Sequence, residues 1–385
     1  TAHIYLRLAE HAYFTGDALR IMHDTLTSLN HAERVDAVAE VVEGYGGLAI
    51  GLGTARLHPL ARFYRDRSIT RARSQGRLHD EGFAHLLAAV YSFQAAAWDE
   101  TAQHCATGGA ICERIGDRFR HQSCRVVESY MHIATGRYEE AEARLRSLGE
   151  DADQVENIPV RAWVLAGRAI LDMIRGRLPA TALSRLALAR DETLHRAERL
   201  LCDGIEALAH LASGDTARAL HTAGMGLHNM LETPPTMGIA FISIAGIAEV
   251  YLACAERAAN SGQVPDDVVS AARNACDAAS TFARKATIFR PRALLIRGRL
   301  AMLTGRRARA ESHWRAALGE ATELHMPLEQ ALALAALART TSVAAQRTER
   351  ERASSDLLRH IGAAPWDLSA TTAPSAAATP SLAHA

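Results

Sequence analysis

Lysine is almost absent from this chain: of its 43 basic residues, 42 are arginine and one is Lys285. That scarcity excludes nearly every mechanism that depends on a reactive lysine. Neither sign of charge is in excess, since 43 acidic residues balance the 43 basic ones. A general nucleic-acid binder would carry a basic surplus, so we expect no nucleic-acid partner. Aromatic residues make up only 5% of the chain, and the abundance of alanine is typical of tightly packed helices.

The six cysteines include no C-x-x-C pair. In a chain of this size they are interpreted as small buried residues in a reducing cytoplasm. No secretory signal opens the chain, and no uninterrupted apolar run reaches the ~18–20 residues of a membrane span. The longest candidate, 237–254, is interrupted by Gly238, Gly246 and Glu249. We therefore expect a cytoplasmic protein without a membrane partner. Because the first residue is threonine, we also expect the chain to be a piece of a longer protein.

Motifs that bind nucleotides or carry out nucleophilic catalysis are missing. A phosphate-binding loop needs glycines before a lysine, and Lys285 has none. No G-x-S-x-G elbow is present, and Ser123 beside Cys124 and near His121 lacks a third orienting group. The glycines between 44 and 53 follow no predicted strand, so they favour a close helix crossing over a nucleotide loop. No catalytic or cofactor-binding residue, and no cofactor, is predicted.

One group of metal-ligating side chains lies close together in the sequence. Cys105 and Cys112 are two helical turns apart, and the group also contains His104, His121 and Cys124. The two predicted helices that carry it pack together, so the side chains could converge on zinc. The spacing fits no zinc motif, however, and thiols commonly fill small helix-packing positions. Core packing is therefore the favoured interpretation, and no metal ligand is predicted.

The clearest local signal is the stretch 136–145. Gly136 can adopt the left-handed conformation that ends a helix. After it, Tyr138, Ala141, Leu145 and Leu148 fall on one apolar stripe of a helix. A glycine, a polar residue, an aromatic residue and a later small alanine are typical of the turn in a tetratricopeptide-like helical hairpin.

This turn recurs along the chain with a spacing near 40 residues. Similar turns are predicted at Gly16, near Arg56, at Ala96, Gly176, Gly214, Asn260–Gly262 and Gly305. The predicted fold is all-α: a right-handed α-solenoid of about eight tetratricopeptide-like hairpins with a period near 40. Residues 1–362 form the repeat domain, and 363–385, rich in Pro, Ala, Ser and Thr, form a disordered tail.

Several segments resemble the C-terminal repeat region of large bacterial signalling proteins. Those proteins carry an adenylate/guanylate cyclase or kinase domain, then an AAA-type (STAND-like) ATPase, then helical repeats. The resembling segments are 57–62, 96–117, 246–253, 290–293, 314–318 and 324–331. LuxR-type ATP-binding regulators carry similar repeats but add a C-terminal DNA-binding domain, for which 363–385 is too short.

The resemblance implies a non-catalytic scaffold within an ATP-dependent bacterial signalling protein. Its partner would be a protein or peptide, or upstream domains of the same protein. Two alternatives stay open. The chain could be a fragment of a cyclase, kinase or ATPase whose catalytic domains lie upstream of Thr1, or the repeat region of a LuxR-type regulator.

The predicted partner site is an apolar trough on the first helix of each hairpin, which lines the concave face of tetratricopeptide folds. Positions six and three residues before each turn, with two further aromatic residues, give the candidate set: Phe83, Val90, Phe93, Tyr130, Ile133, Trp163, Ile170 and Met173. Such a trough would hold an amphipathic helix or an extended peptide. The alternative is that these side chains pack against the second helix as ordinary core.

Arginine is concentrated in two runs, 62–73 and 290–309. Arginine binds carboxylates and phosphates with two parallel hydrogen bonds, so either run could dock an acidic partner. The alternative is a solvated helix face balanced by nearby acids, which zero net charge favours.

Overall fold

In the part of the chain that is described, the protein is an array of packed α-helices without strands. The computed structural model describes residues 1–15, 17–154, 157–177, 179–190, 196–232, 237–260 and 266–364. Those residues form eighteen α-helices and two short 3-10 turns. The all-α repeat solenoid predicted from the sequence is confirmed.

The helices are named in chain order. The first nine are α1 Ala2–Thr15, α2 Ala18–Arg34, α3 Val38–Thr54, α4 His58–Ser74, α5 Leu78–Gln94, α6 Trp98–Arg114, α7 Arg118–Ala134, α8 Tyr138–Gln154 and α9 Ile158–Ile174. The others are α10 Pro179–Arg190, α11 Arg196–Ala212, α12 Thr216–Glu232, α13 Phe241–Asn260, α14 Asp266–Ala283, α15 Arg290–Leu303, α16 Arg307–Glu323, α17 Pro327–Thr340 and α18 Ala344–Ile361. The 3-10 turns Gly238–Ala240 and Thr287–Phe289 lead into α13 and α15.

From α3 to α9 a new helix begins every 20 residues, and each of these helices is 17 residues long. Successive odd-numbered helices therefore start 40 residues apart, which is the period read from the turns. A left-handed residue follows nearly every helix in this part of the chain: Asp36, Arg56, Gly76, Ala96, Gly116, Gly136 and Gly176. The links within and between hairpins thus share one geometry. Gly16, 261–262 and 365–385, which carry two predicted turns and nearly all of the predicted tail, lie outside the described residues.

The odd-numbered helices form a continuous layer. Each odd helix contacts the next odd helix, from α1 through α17, in addition to its sequence neighbours. The even-numbered helices pack chiefly on their neighbours in sequence. Their composition agrees, since α3, α5, α9 and α13 are apolar whereas α4, α8 and α16 are polar on average.

The glycines of α3 permit the close helix crossings predicted for them. A Cβ added to Gly46 would lie 2.4 Å from Leu87 of α5, and one added to Gly44 would lie 2.6 Å from Leu29 of α2. Gly53 faces the ring of Tyr91 in the same way. Neighbouring helices therefore use the space that side chains would fill.

By length and composition, one helical stretch in the described residues could cross a membrane, Gly238–Ala259. Its most apolar window is entirely buried inside the protein. Glu249, which interrupts the apolar run in the sequence, is buried there too and pairs with Arg292 of α15. This stretch is the central core helix of the array.

Candidate functional site

The predicted apolar trough is not an open surface. Of its eight residues, four are in the core with 2% or less of their surface exposed: Phe93, Tyr130, Ile133 and Ile170. These four side chains are therefore core residues in this structure, and the partner role predicted for them stays a prediction. Phe83, Val90, Trp163 and Met173 are partly buried, and the last three pack against the main core.

Tyr130 shows how the predicted trough face of α7 packs within the protein. Its hydroxyl donates a hydrogen bond to the backbone oxygen of Trp163 at 2.9 Å, which joins α7 to α9. Burial raises the pKa of Tyr130 well above its usual value. Because each odd helix packs on the next odd helix, side chains on that shared face are buried between the two helices.

At Phe93 the trough is filled by a distant part of the same chain. Phe93 of α5 lies with its ring centroid 6.4 Å from that of Phe241, at the start of α13. A Cβ on Gly238, just before it, would touch Gln94 and Phe93. α5 also contacts the second 3-10 turn, 287–289. The inner face of the early units is therefore covered by the later ones.

Phe83 is covered locally rather than by a distant unit. The guanidinium carbon of Arg120, from α7, lies 4.1 Å from the centre of its ring. At that distance the cation interacts favourably with the ring face. A partner would have to displace Arg120 to reach Phe83.

Three further contacts hold the end of the chain against its middle. Trp98 donates its indole N–H to the backbone oxygen of Leu324 at 2.6 Å. Ala364 donates its backbone N–H to Ile174 at 2.8 Å. The Gly136 turn faces Pro327 and Ile361 so closely that a Cβ there would lie 2.6 Å from the first and 2.9 Å from the second. We call these contacts the closure.

Most arginines of the first run are already paired. Arg65 bonds Asp66 and Glu100, Arg71 bonds Asp36, and Arg73 bonds Glu81. In the second run, Arg290, Arg292, Arg299 and Arg307 pair with acids of neighbouring helices or their own turn. The runs therefore act mainly as cross-links between helices, which the balanced composition favoured.

The three cysteines of the group considered for zinc are buried thiols, as the core-packing interpretation predicts. Cys105, Cys112 and Cys124 have 2% or less exposure, and burial raises the pKa of Cys112 to about 11. No set of three metal-ligating side chains converges within the described residues. The feature the sequence did not reveal is a histidine pair, in which His85 and His104 approach to 3.1 Å between their Nδ1 atoms.

Buried histidines give the protein a specific response to acid. Burial lowers the pKa of His85 and of His132 to about 4, with His104 adding to the effect at His85 and Arg137 and Arg144 adding to it at His132. An unfolded histidine titrates near pH ~6.5. Between these values only the unfolded chain takes up the protons, so stability falls as the pH drops from about 6.5 to 4. Glu43 opposes this trend, because burial raises its pKa to about 7.

His132→Gln is expected to flatten the loss of stability between pH 6.5 and 4.5, because glutamine does not titrate. The measurement is the urea midpoint of unfolding at several pH values, compared with wild type and with His228→Gln, which changes an exposed histidine. An unchanged slope in His132→Gln, or an equal change in the control, would contradict the assignment.

A concave site lined by charged and aromatic side chains lies between α2, α3 and α4, and we call it the α2–α4 pocket. Its volume is about 770 Å³. Two rings, three carboxylates and two arginines line it: Tyr45, Phe63, Glu33, Asp36, Asp66, Arg67 and Arg71. The sequence pointed only to the arginines, because two of the three carboxylates, Glu33 and Asp36, precede α3 and belong to the hairpin before.

The rings of the pocket are arranged around a cation. The guanidinium carbon of Arg67 lies 5.4 Å from the Tyr45 ring centre and 6.0 Å from that of Phe63. The Tyr45 hydroxyl donates to Glu33 at 2.7 Å, and burial is the main cause of its raised pKa. Phe63 is 54% exposed, so the mouth of the pocket is open to solvent.

Neither models of known protein families nor curated proteins match this chain.

Proposed function

We propose that this chain is a non-catalytic helical-repeat scaffold that makes protein–protein or intramolecular regulatory contacts in an ATP-dependent bacterial signalling protein of the cytoplasm. The observation that carries the proposal is the closure. Later parts of the same chain pack on Phe93 of the predicted trough, on Trp98 at the start of α6 and on the Gly136 turn.

A face covered by its own chain can be regulated. Closed and open forms differ in whether the inner face is available, and any ligand that binds one form better shifts the balance. Upstream domains of the same protein, or a separate partner, would act by favouring one form. The resemblance to regions that follow AAA-type ATPases supports a role in holding such an enzyme inactive.

Gly136→Ala is expected to weaken the closure more than Gly116→Ala. Both glycines have φ of +74°, so both substitutions carry the same left-handed strain of about 1 kcal/mol. Only at Gly136 does the new methyl group meet Pro327 and Ile361, whereas nothing lies within 4 Å at Gly116. The extra loss in Gly136→Ala is therefore expected to be about 1–2 kcal/mol.

Hydrogen exchange of the full chain checks this prediction. In Gly136→Ala, amides of α17 and α18 are expected to exchange faster, with α3 and α4 unchanged as an internal reference. Equal exchange in the two variants would overturn the closure as a regulated contact. Measurable ATP turnover by the purified chain would overturn the non-catalytic part of the proposal.

A further inference from the structure

The α2–α4 pocket contains its own cation. Arg67 is exposed on α4, yet its guanidinium lies over two aromatic rings. An arginine on a helix surface is free to extend into solvent. Phe63 is its i,i+4 neighbour on α4, whereas Tyr45 belongs to α3, so the guanidinium lies within cation–π distance of rings from two helices.

The charges around the rings point the same way. Among the lining residues, Glu33, Asp36 and Asp66 contribute three negative charges and Arg67 and Arg71 two positive ones, a net charge of −1. Arg65, outside the lining, also bonds Asp66. When Arg67 moves out of the pocket, the remaining lining residues carry a net charge of −2. The pocket therefore favours a cation in the place that Arg67 now fills.

The shape of the mouth suits a side chain presented by a polypeptide. Leu60 of α4 and Leu57, the residue just before α4, are 49% and 47% exposed. With Phe63 they are spaced three residues apart and give exposed apolar side chains near the start of α4. A segment that inserts an arginine between Tyr45 and Phe63 would lay apolar neighbours on these side chains.

We propose that the α2–α4 pocket binds an arginine side chain of a partner polypeptide, and that Arg67 occupies this site as an internal substitute until the partner displaces it. The partner class rests on the proposed scaffold function. The preference for a guanidinium rests only on the rings and carboxylates.

The planar guanidinium is the group best matched to this site. It stacks on aromatic faces while its N–H groups reach carboxylates in the ring plane, which a compact ammonium cannot do at the same time. Glu33 of α2 and Asp66 of α4 both line the pocket and carry the carboxylates for that role. A lysine side chain is therefore expected to bind more weakly.

The test is calorimetric titration of the full chain with N-acetyl-arginine amide, and with N-acetyl-citrulline amide as the neutral analogue of the same shape. Arg67→Ala is expected to bind the arginine probe at least about fivefold more tightly than wild type, because the internal competitor is gone. Citrulline is expected to bind at least about fivefold more weakly than arginine to that variant.

Two variants separate the pocket from general charge effects. Arg34→Ala removes the same charge from an exposed position outside the lining residues, and it is expected to bind the probe as wild type does. Arg67→Ala combined with Phe63→Ala is expected to lose the gain, since one ring is removed from an exposed position that the fold does not require.

Three results would overturn the proposal: equal binding by wild type and Arg67→Ala, equal binding of arginine and citrulline, or a gain that persists without Phe63. Tighter binding of N-acetyl-lysine amide would overturn the guanidinium preference. These outcomes do not depend on any protein partner. A scaffold that binds its partner through another surface would leave the probe titration unchanged, so the two ideas fail separately.

Discussion

Arg292→Ala is expected to lower the free energy of unfolding by about 3–5 kcal/mol, because it leaves buried carboxylates without their cation. The Arg292 side chain is 2% exposed. Its Nε lies 2.7 Å from Glu249 of α13, and its Nη1 lies 3.5 Å from Glu329 of α17. Burial raises the pKa of Glu329, and Arg292 opposes the rise. The measurement is urea unfolding followed by circular dichroism.

Arg299→Ala is the matched control, two helix turns further along α15. Arg299 also bonds a glutamate, Glu256, at 2.7 Å, but both side chains are partly exposed. Water can replace that pair, so a loss of only about 1 kcal/mol is expected. If the two variants lose equal stability, the buried cluster is not the link between α13, α15 and α17 that the geometry indicates.

Gly204→Ala is expected to be the most damaging single-methyl addition, with a net loss of about 2–3 kcal/mol. A Cβ at Gly204 of α11 would lie 1.9 Å from the backbone oxygen of Ser243 and 2.5 Å from its carbonyl carbon. Those atoms belong to the backbone of α13, so no side-chain rotation relieves the clash. The two helices would have to separate, which also disturbs the bond from the Ser243 hydroxyl to Leu201.

Gly319→Ala provides the opposite result in the same experiment. Gly319 lies inside α16, and nothing is within 4 Å of its added Cβ. Alanine is a better helix former than glycine by about 1 kcal/mol, so this variant is expected to be more stable than wild type. The prediction fails if thermal unfolding shows Gly204→Ala at or above the wild-type midpoint.

The hairpin array could be predicted from the sequence because its signals are local. A left-handed residue such as Gly136 and the apolar stripe from Tyr138 to Leu148 both lie within one hairpin, and all of these side chains except the glycine are buried. The period near 40 follows from repeating that signal. The burial of the candidate groove residues on α5, α7 and α9 could not be predicted in the same way, since it depends partly on units far away in the chain.

Neither the α2–α4 pocket nor the closure could be predicted from the sequence, and the physical reason is the same for both. Glu33 and Phe63 are 30 positions apart, and Trp98 meets Leu324 across 226 positions. Neither relation has a period or a motif. The buried ion pair of Glu249 and Arg292 left one hint in the sequence, because a lone acid in an apolar run needs a buried cation. The sequence did not indicate which of the 42 arginines supplies it.

The closure changes how independently the units of this repeat protein can fold. An open solenoid has only neighbour contacts, so its units can form and melt one after another along the chain. Here the bond from Trp98 to Leu324, and the packing of Phe93 on Phe241, make the middle units depend on late-arriving ones. Long sequence separations slow the search for the native contacts. The array is therefore expected to fold as one cooperative unit rather than as a row of semi-independent repeats. The core around α5 and α6 is complete only when segments from late in the chain have packed on it.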